Sequence, residues 1–390
     1  MSIDQGTILD LIGMRDDIGV LSVYVGITPD RAAEPKPGWP IAIRNQLRDL
    51  RQRVRDEGTH EDAEALAERI DALDGQLTRL LDASRYGRGR ALFATVGDER
   101  VETIAIQMPF RDRVVFDRSP FVRPLVAALD EGRAAGIAVV HKRGVRLLEW
   151  RLGGAAEITR EEFTVGGRDW REKSGPAPAQ PLDTRQGGHK RDQFEDRVHE
   201  NLLRFVRDSA RDVADEANTR RWDRLIVSGD PRLTKPFAEE LHPAGGEQLE
   251  VMDLSWEDEA PNTIAEQAWD TFRALRHDRM ARLVTEAKDR ALSGGAGALG
   301  LPDTLGALNQ GRIDYLLFDA ELSVDGYRNV DGLLFTHPQQ PGADGAQHEP
   351  FLVERMVERA LATSATAVPC EGQAAELLRE FDGVAAILRW

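Results

Sequence analysis

The chain has 390 residues, 41% hydrophobic and 30% charged, a length that predicts two or three domains and an apolar content that rules out a wholly disordered chain. Its 51 Lys and Arg stand against 67 Asp and Glu, and this net charge of −16 speaks against a protein that coats nucleic acid without specificity. A single cysteine, Cys370, excludes an internal disulfide framework and a multi-cysteine zinc site, and no stretch reaches the ~20 apolar residues of a membrane span.

The N-terminal segment lacks a basic region followed by an apolar run, so no secretory signal is expected; with the single cysteine this predicts a reduced, cytoplasmic setting. A short helical pattern runs from Ile8 to Met14, and the β-branched run Val20 to Ile27, closed by Thr28 and Pro29, predicts a buried strand. Two charged helices follow. One places Ile43, Leu47, Leu50 and Val54 on a single face, and the other does the same with Leu66, Ile70, Leu73, Leu77 and Leu80. Gly58 and Thr59 between them predict a helical hairpin, packed within the chain rather than offered to a partner as a coiled coil. Strands are expected again at Ala91 to Val96 and Val101 to Ile106.

A second unit opens near Pro124. Gly136 to Val140 and Val145 to Trp150 flank His141-Lys-Arg-Gly144, a hairpin signature, and Ala155 to Phe163 is a third strand candidate. From Gly166 to Gly188 the composition shifts to Gly, Pro, Gln and charge without periodicity, which predicts a long mobile loop. Phe194, Val198, Leu202, Phe205, Val206, Val213 and Ala217 then line one face of a long helix, followed by a strand at Leu225 to Gly229, a helix fragment at Phe237 to Leu241 and a strand at Leu249 to Leu254. That order predicts a mixed sheet with helices packed on it.

The third unit opens with a helix from Pro261 to about Leu292, broken by Gly294 to Gly300. A helix at Pro302 to Leu308, a strand at Asp314 to Phe318, a polar insertion from about Thr336 to Glu349, a helix at Leu352 to Ala362, a strand at Ala365 to Pro369, a helix at Gln373 to Glu380 and a strand at Val384 to Leu388 predict a small α/β/α sandwich. The expected domains are therefore 1–125, 126–258 and 259–390.

Gly295-Ala-Gly297-Ala-Leu-Gly300 has dinucleotide-binding spacing, but a helix rather than a strand precedes it, so it reads as a flexible link between helices. His337 and His348 lack converging metal ligands, His60, His242 and His277 read as ordinary surface residues, and Cys370 reads as a buried structural thiol. No metal or cofactor is expected. The segment with chemical promise is Thr184-Arg-Gln-Gly-Gly-His-Lys-Arg-Asp-Gln-Phe194. Between Gly166 and Arg191 the bases Arg168, Arg171, Lys173, Arg185, Lys190 and Arg191 outnumber Asp169, Glu172 and Asp183. Paired glycines let a backbone approach a ligand closely and offer N–H donors, and donors fixed on a developing oxyanion stabilise a transition state. The basic neighbours suit a phosphate-rich partner. The plainer reading is a solvated loop with a glycine turn ahead of a helix.

At this loop the sequence resembles the archaeal and eukaryotic class-one peptide-chain release factors and their bacterial relatives, whose middle domain carries a Gly-Gly-Gln loop followed by a long helix. Arg185 to Arg197 follows that pattern, the Gly136–Trp150 hairpin and the Ala155–Phe163 strand resemble the start of that domain, and Trp222 to Asp230 resembles its central strand. Leu305 to Phe318 and Phe381 to Arg389 resemble the family's third domain, and Val20 to Ile27 with the helical hairpin resembles the first domain of the bacterial branch. The resemblance implies an N-terminal α/β domain with a helical hairpin, a middle RNase H-like mixed-sheet domain and a C-terminal α/β/α sandwich.

His189 stands where the family has glutamine, and neither an Asn-Ile-Lys-Ser tetrapeptide nor the aromatic–cysteine stop-codon motif occurs. The resemblance thus implies a monomeric factor of the ribosomal aminoacyl-tRNA site that does not read stop codons, acting in rescue of stalled ribosomes or in hibernation. Gly187, Gly188 and His189 would act at the peptidyl-tRNA ester, with hydrolysis weakened or lost through the histidine. Arg185, Lys190, Arg191, Arg168, Arg171 and Lys173 would contact ribosomal RNA. Two other readings stay open: a ribosome-independent RNase H-like hydrolase or nuclease, and a non-enzymatic adaptor using an exposed stripe of the Ile43–Leu80 hairpin.

Overall fold

The computed structural model describes residues 3–34, 37–164, 186–241 and 248–390, with side chains resuming at Asp196 after the second gap. The chain divides into two compact units: residues 133–275, and a second made of residues 1–132 together with 276–390. The first and last segments of the sequence division thus share one unit.

In that unit, α1 (Gln5–Ile12) precedes β1 (Val20–Gly26), all of whose residues are buried. After the short α2 (Pro29–Ala32) come α3 (Trp39–Glu57), α4 (His60–Ala72) and α5 (Asp74–Leu81), then β2 (Gly89–Thr95), β3 (Val101–Ile106), β4 (Arg113–Asp117) and α6 (Arg123–Glu131). The strands form an antiparallel sheet in the order β3-β2-β1-β4. The predicted second helix of the hairpin is two helices, broken at Leu73, which closes α4 and opens α5 with ψ near 1°. The apolar spacing survives the break, so the stripe is continuous. Every stripe residue except the half-buried Val54 is buried, packed with Val23, Val25 and Leu92 of the sheet. No exposed stripe remains, which removes the surface that the adaptor reading needed.

The remainder of the unit begins within α9 (Pro261–Leu292) and continues through β10 (Gly297–Leu299), α10 (Gly300–Asn309), β11 (Ile313–Asp319), β12 (Gly326–Arg328), β13 (Leu334–Phe335), β14 (Gln347–Glu349), α11 (Leu352–Ala362), β15 (Thr366–Cys370), α12 (Gly372–Leu378) and β16 (Val384–Leu388). One sheet runs β10-β16-β11-β15 and a smaller one β13-β12-β14. Met280, Val284 and Ala287 of α9 pack with Leu317, Val368, Ala385 and Ile387. The glycine run read as a helix link is in part a strand, paired antiparallel with β16. A Cβ on Gly297 would lie 2.5 Å from Ala291 N, so glycine lets this strand press against the end of α9. Cys370 is fully buried, and that burial pushes its thiol up to about 12, in keeping with a structural role.

A buried ionic cluster joins early and late residues of this unit. Arg355 on α11 bonds Ser119, Asp117 and Glu358, with Glu349 at 3.4 Å, while Ser119 Oγ donates to Glu358 at 2.7 Å. Glu354 accepts the Val122 N–H, and complete burial, aided by neighbouring Glu358, pushes its carboxyl up to about 8.

The other unit starts with β5 (Ala135–His141), β6 (Gly144–Arg151) and β7 (Gly154–Glu162), then α7 (Gln186–Arg220), β8 (Arg224–Gly229), α8 (Pro231–Leu241) and β9 (Gln248–Met252), and takes the first part of α9. The sheet order is β7-β6-β5-β8-β9. β5, β6 and β7 are antiparallel to one another in sequence, while β8 and β9 run parallel to β5. This is the mixed sheet with helices packed on it that the order of elements predicts. Leu202, Val206, Ala210, Val213 and Ala217 seal α7 onto one face, and Ile264, Ala268 and Phe272 of α9 cover the other with Trp150 and Trp256.

Candidate functional site

α7 places the Gly-Gly-His segment. The helix is 35 residues long and starts at Gln186, so Gln186, Gly187, Gly188 and His189 form its first turn and Lys190 and Arg191 follow directly. Sequence reading had put the two glycines in the loop and started the helix near Phe194. Arg168, Arg171, Lys173 and Arg185 lie outside the described residues, as does most of the expected mobile loop, and no side chain is described before Asp196. Asp196, Arg197, His199 and Glu200 are exposed, and among the described side chains of the helix Leu202 is the first that is buried. At ~1.5 Å per residue, Gly187 sits about 22 Å along the axis ahead of Leu202.

Topology fixes which end of the sheet this turn occupies. A crossover helix that leads into a parallel strand runs back along the sheet from the carboxyl ends of its strands. The end of β7 lies there too: Glu162 pairs with Gly144, which pairs with His141 at the end of β5, and Phe163 N donates to Arg143 O at 2.8 Å. The end of β7 and the start of α7 therefore belong to the same sheet end.

At that end lies a crevice of about 460 Å³, bordered by His141 and Lys142 after β5, Asp230 and Arg232 after β8, and Asp253 and Glu257 after β9. The chain leaves β5 toward β6 on one side and returns as β8 on the other, so the crevice sits at the switch point where open α/β sheets bind ligands. It is held in shape by Arg146 of β6, a buried residue. Its guanidinium pairs with Glu157 at 2.8 Å and donates to the carbonyls of Trp256 at 2.9 Å, Glu257 at 2.7 Å and Glu259 at 3.1 Å. Glu157, held also by Arg160, is drawn down to about 2.

With its backbone pinned, Glu257 reaches both Arg143 and His141, Oε1 lying 3.0 Å from His141 Nδ1. The Arg143 N–H approaches the same ring nitrogen at 3.2 Å. Burial holds the imidazole below its ordinary pKa, with Glu257 pulling the other way, and Nε2 is shielded without a hydrogen-bond partner. Sequence reading treated His141 to Gly144 only as a hairpin turn. The signal for more was its place at the carboxyl end of a central strand that pairs on both sides. Among the described residues, no three His, Cys, Asp or Glu side chains are grouped to hold a metal ion. His348 instead pairs with Asp325 at 2.8 Å. No helix among the described residues is long and apolar enough to cross a membrane.

Residues 120–273 match bacterial archaeo-eukaryotic release factor family 10, a span nearly coextensive with the unit 133–275. A Bacillus subtilis (strain 168) relative, uncharacterized protein YocB, is 21% identical over 213 residues, covering 54% of this chain and 77% of that protein. Similar solved structures include the archaeal translation termination factor aRF1, at 16% identity and a TM-score of 0.27 over 99% of this chain and 97% of that one. A model of ribosome-bound archaeal Pelota and ABCE1 gives 17% identity and a TM-score of 0.40 over 77% of each chain. The S. cerevisiae translation termination-like factor Dom34 gives 8% and 0.41 over 77% of this chain and 79% of that one. With TM-scores below 0.5, none of the three defines the fold of the whole chain.

Proposed function

From the kinship of residues 120–273 with the bacterial relatives of the archaeo-eukaryotic release factors, we propose that the protein is a release-factor-like translation factor that enters the aminoacyl-tRNA site of the ribosome without reading stop codons. The observation that carries this reading is the position of Gly187-Gly188-His189. They occupy the start of a 35-residue helix, about 22 Å along its axis ahead of Leu202, a buried anchor on the sheet. Such a helix can carry a short motif into a narrow cavity while the sheet behind it stays outside. The basic residues Arg185, Lys190 and Arg191, with Arg168, Arg171 and Lys173 in the preceding segment, would meet ribosomal RNA phosphates.

The chemistry open to the motif is backbone donation. The Gly187 and Gly188 N–H groups belong to the first turn of a helix, where they have no intrahelical acceptor. Aimed at the ester of peptidyl-tRNA, they would stabilise the oxyanion that forms as water attacks the carbonyl carbon and the tRNA ribose oxygen leaves. The same placement without turnover would hold an idle or stalled ribosome.

Competition decides the placement: the protein and aminoacyl-tRNA should exclude each other from programmed ribosomes. Simultaneous binding of both removes the reading. Release of peptide from stalled complexes then separates rescue from hibernation. In the rescue case Gly188→Trp should abolish release while ribosome binding persists. Metal-dependent cleavage of free RNA with no ribosome affinity would support the hydrolase alternative instead.

A further inference from the structure

Between α5 and β2 the sequence Asp82-Ala-Ser-Arg-Tyr-Gly-Arg-Gly-Arg90 makes a turn held from beneath by one buried guanidinium. Arg90, 4% exposed, donates to Leu80 O at 3.0 Å, Gly87 O at 3.0 Å and Tyr86 O at 3.2 Å, and also to the carbonyls of Asp82 and Arg85. The Asp82 carboxylate accepts from Ser84 N at 3.0 Å and Ser84 Oγ at 2.7 Å. Gly87 takes φ +97°, where a side chain would be strained and a Cβ would meet Ala105 at 2.9 Å. A loop with this many fixed carbonyls is rigid, yet it presents Tyr86 at 70% exposure beside Arg85 at 55%. A large aromatic side chain held out in water by a preorganised backbone is a different thing from an incidental surface tyrosine.

The loop leaves α5 directly after Leu81, which lines a groove of about 330 Å³ between α3 and α5. Its floor is Leu47, Leu77 and Leu81, and the Trp39 indole N–H donates to Leu81 O at 3.3 Å, tying the start of α3 to the base of the loop. Arg44 and Arg48 line its α3 wall one turn apart. Arg48 is 74% exposed, and among the described residues it pairs with its neighbour Asp49 at 3.7 Å, a geometry worth little in water. Asp74 stands on the opposite wall, and Asp71 there is taken up by Arg51 at 2.6 Å.

We infer that the Tyr86 loop and the Arg44–Arg48 edge of this groove form a binding surface for single-stranded RNA, with an unpaired base stacked on Tyr86 and the adjoining phosphates on the arginines. Base stacking on an exposed ring flanked by guanidinium groups is how single strands are held without sequence readout. A protein partner would need an apolar surround to exclude water from the tyrosine, and the exposed neighbours are Ala83, Ser84 and Arg85. The inference rests on the ribosomal reading for the source of the RNA. Naked oligonucleotide is therefore the probe, so that the two can fail separately.

The test is fluorescence anisotropy of a short labelled oligoadenylate with the full chain at several salt concentrations. Binding should weaken with salt, and Tyr86→Ala should weaken it roughly ten-fold or more. Tyr86→Phe, which keeps the ring, should stay within about two-fold of the parent. The double variant Arg44→Gln with Arg48→Gln should flatten the log–log salt slope by roughly 1.4, at ~0.7 per lost phosphate contact. No binding by the parent, equal binding by Tyr86→Ala, or tighter binding of a duplex would overturn the inference even if ribosome binding holds. Oligonucleotide binding without ribosome affinity would instead sustain it and remove the function proposed above. A Tyr86→Ala chain that binds oligonucleotide normally but loses ribosomes would point to a protein contact and also overturn it.

Discussion

The start of α7 and the cluster around Arg355 use charge in opposite ways. Ahead of Leu202 the helix carries Asp196, Arg197 and Glu200 at exposed positions, and toward its C-terminal end it packs Leu202, Val206, Ala210 and Val213 into the core. Around α11, Arg355, Glu354 and Glu358 are all buried, and Arg355 is tied to several acids at once. The first arrangement can be altered at little cost to folding. The second cannot lose Arg355 without weakening the pairing of a carboxylate held in the interior. A surface used for recognition is free to vary in charge, while an internal network fixes how distant parts of a chain meet.

The largest expected effect lies in the cluster. Arg355→Ala should destabilise the protein by roughly 3–5 kcal/mol in thermal or denaturant unfolding, because the buried Glu358 would keep only the exposed Arg15, at 3.3 Å, as a cation, and the half-buried Asp117 would lose the Arg355 guanidinium. A loss below 1 kcal/mol would mean water reaches these carboxylates (a surface-like ~0–1 kcal/mol). Next comes the junction between the two behaviours on α7. Leu202→Ala should cost about 2–4 kcal/mol, since it removes a buried anchor of the helix.

Glu354 gives a pH test. Its folded-state pKa, near 8, lies above the ~4.3 of an unfolded glutamate, so the folded protein binds that proton more tightly than the unfolded chain does. Its contribution to stability is full below the unfolded value and is lost as pH rises through about 8. Glu354→Gln keeps an acceptor for the Val122 N–H and should flatten the fall in unfolding free energy between about pH 5 and pH 8, measured by urea denaturation. An unchanged pH profile would show that Glu354 is ionised in the fold. The smallest effect belongs to the helix ahead of its anchor: Asp196→Ala or Glu200→Ala should change stability by less than about 0.5 kcal/mol, and a larger loss would place that stretch within the folding core.

Much of the architecture was legible where periodicity and punctuation agreed. Pro261 opens α9 and Leu292 closes it before the glycines, and β16 occupies Val384–Leu388 as its apolar run predicts. The middle sheet followed from the strand-strand-strand-helix-strand-helix-strand order alone. β4 escaped because Arg113–Asp117 is short and half-buried throughout, and β14 because Gln347–Glu349 is polar and lies inside an insertion. The break at Leu73 is invisible to spacing, since the apolar stripe crosses it without interruption.

The candidate site divides in the same way. Gly187, Gly188 and His189 stood out from the sequence by local composition. The crevice did not, because His141, Asp230 and Glu257 are far apart in the chain and meet only through a parallel pairing and the reach of Arg146. The cluster at Arg355 was equally hidden. Nothing about Ser119, Glu354 or Glu358 as isolated letters marks them as buried.

The most direct test of the central claim is co-sedimentation of the full chain with bacterial ribosomes across a salt series. It should compare the parent with a variant carrying Gln at Arg185, Lys190 and Arg191. The account predicts binding at low salt that falls steeply as salt rises, and a variant that binds more weakly with a shallower salt dependence. Ribosome binding that is absent at low salt, or identical in the two proteins, would contradict it.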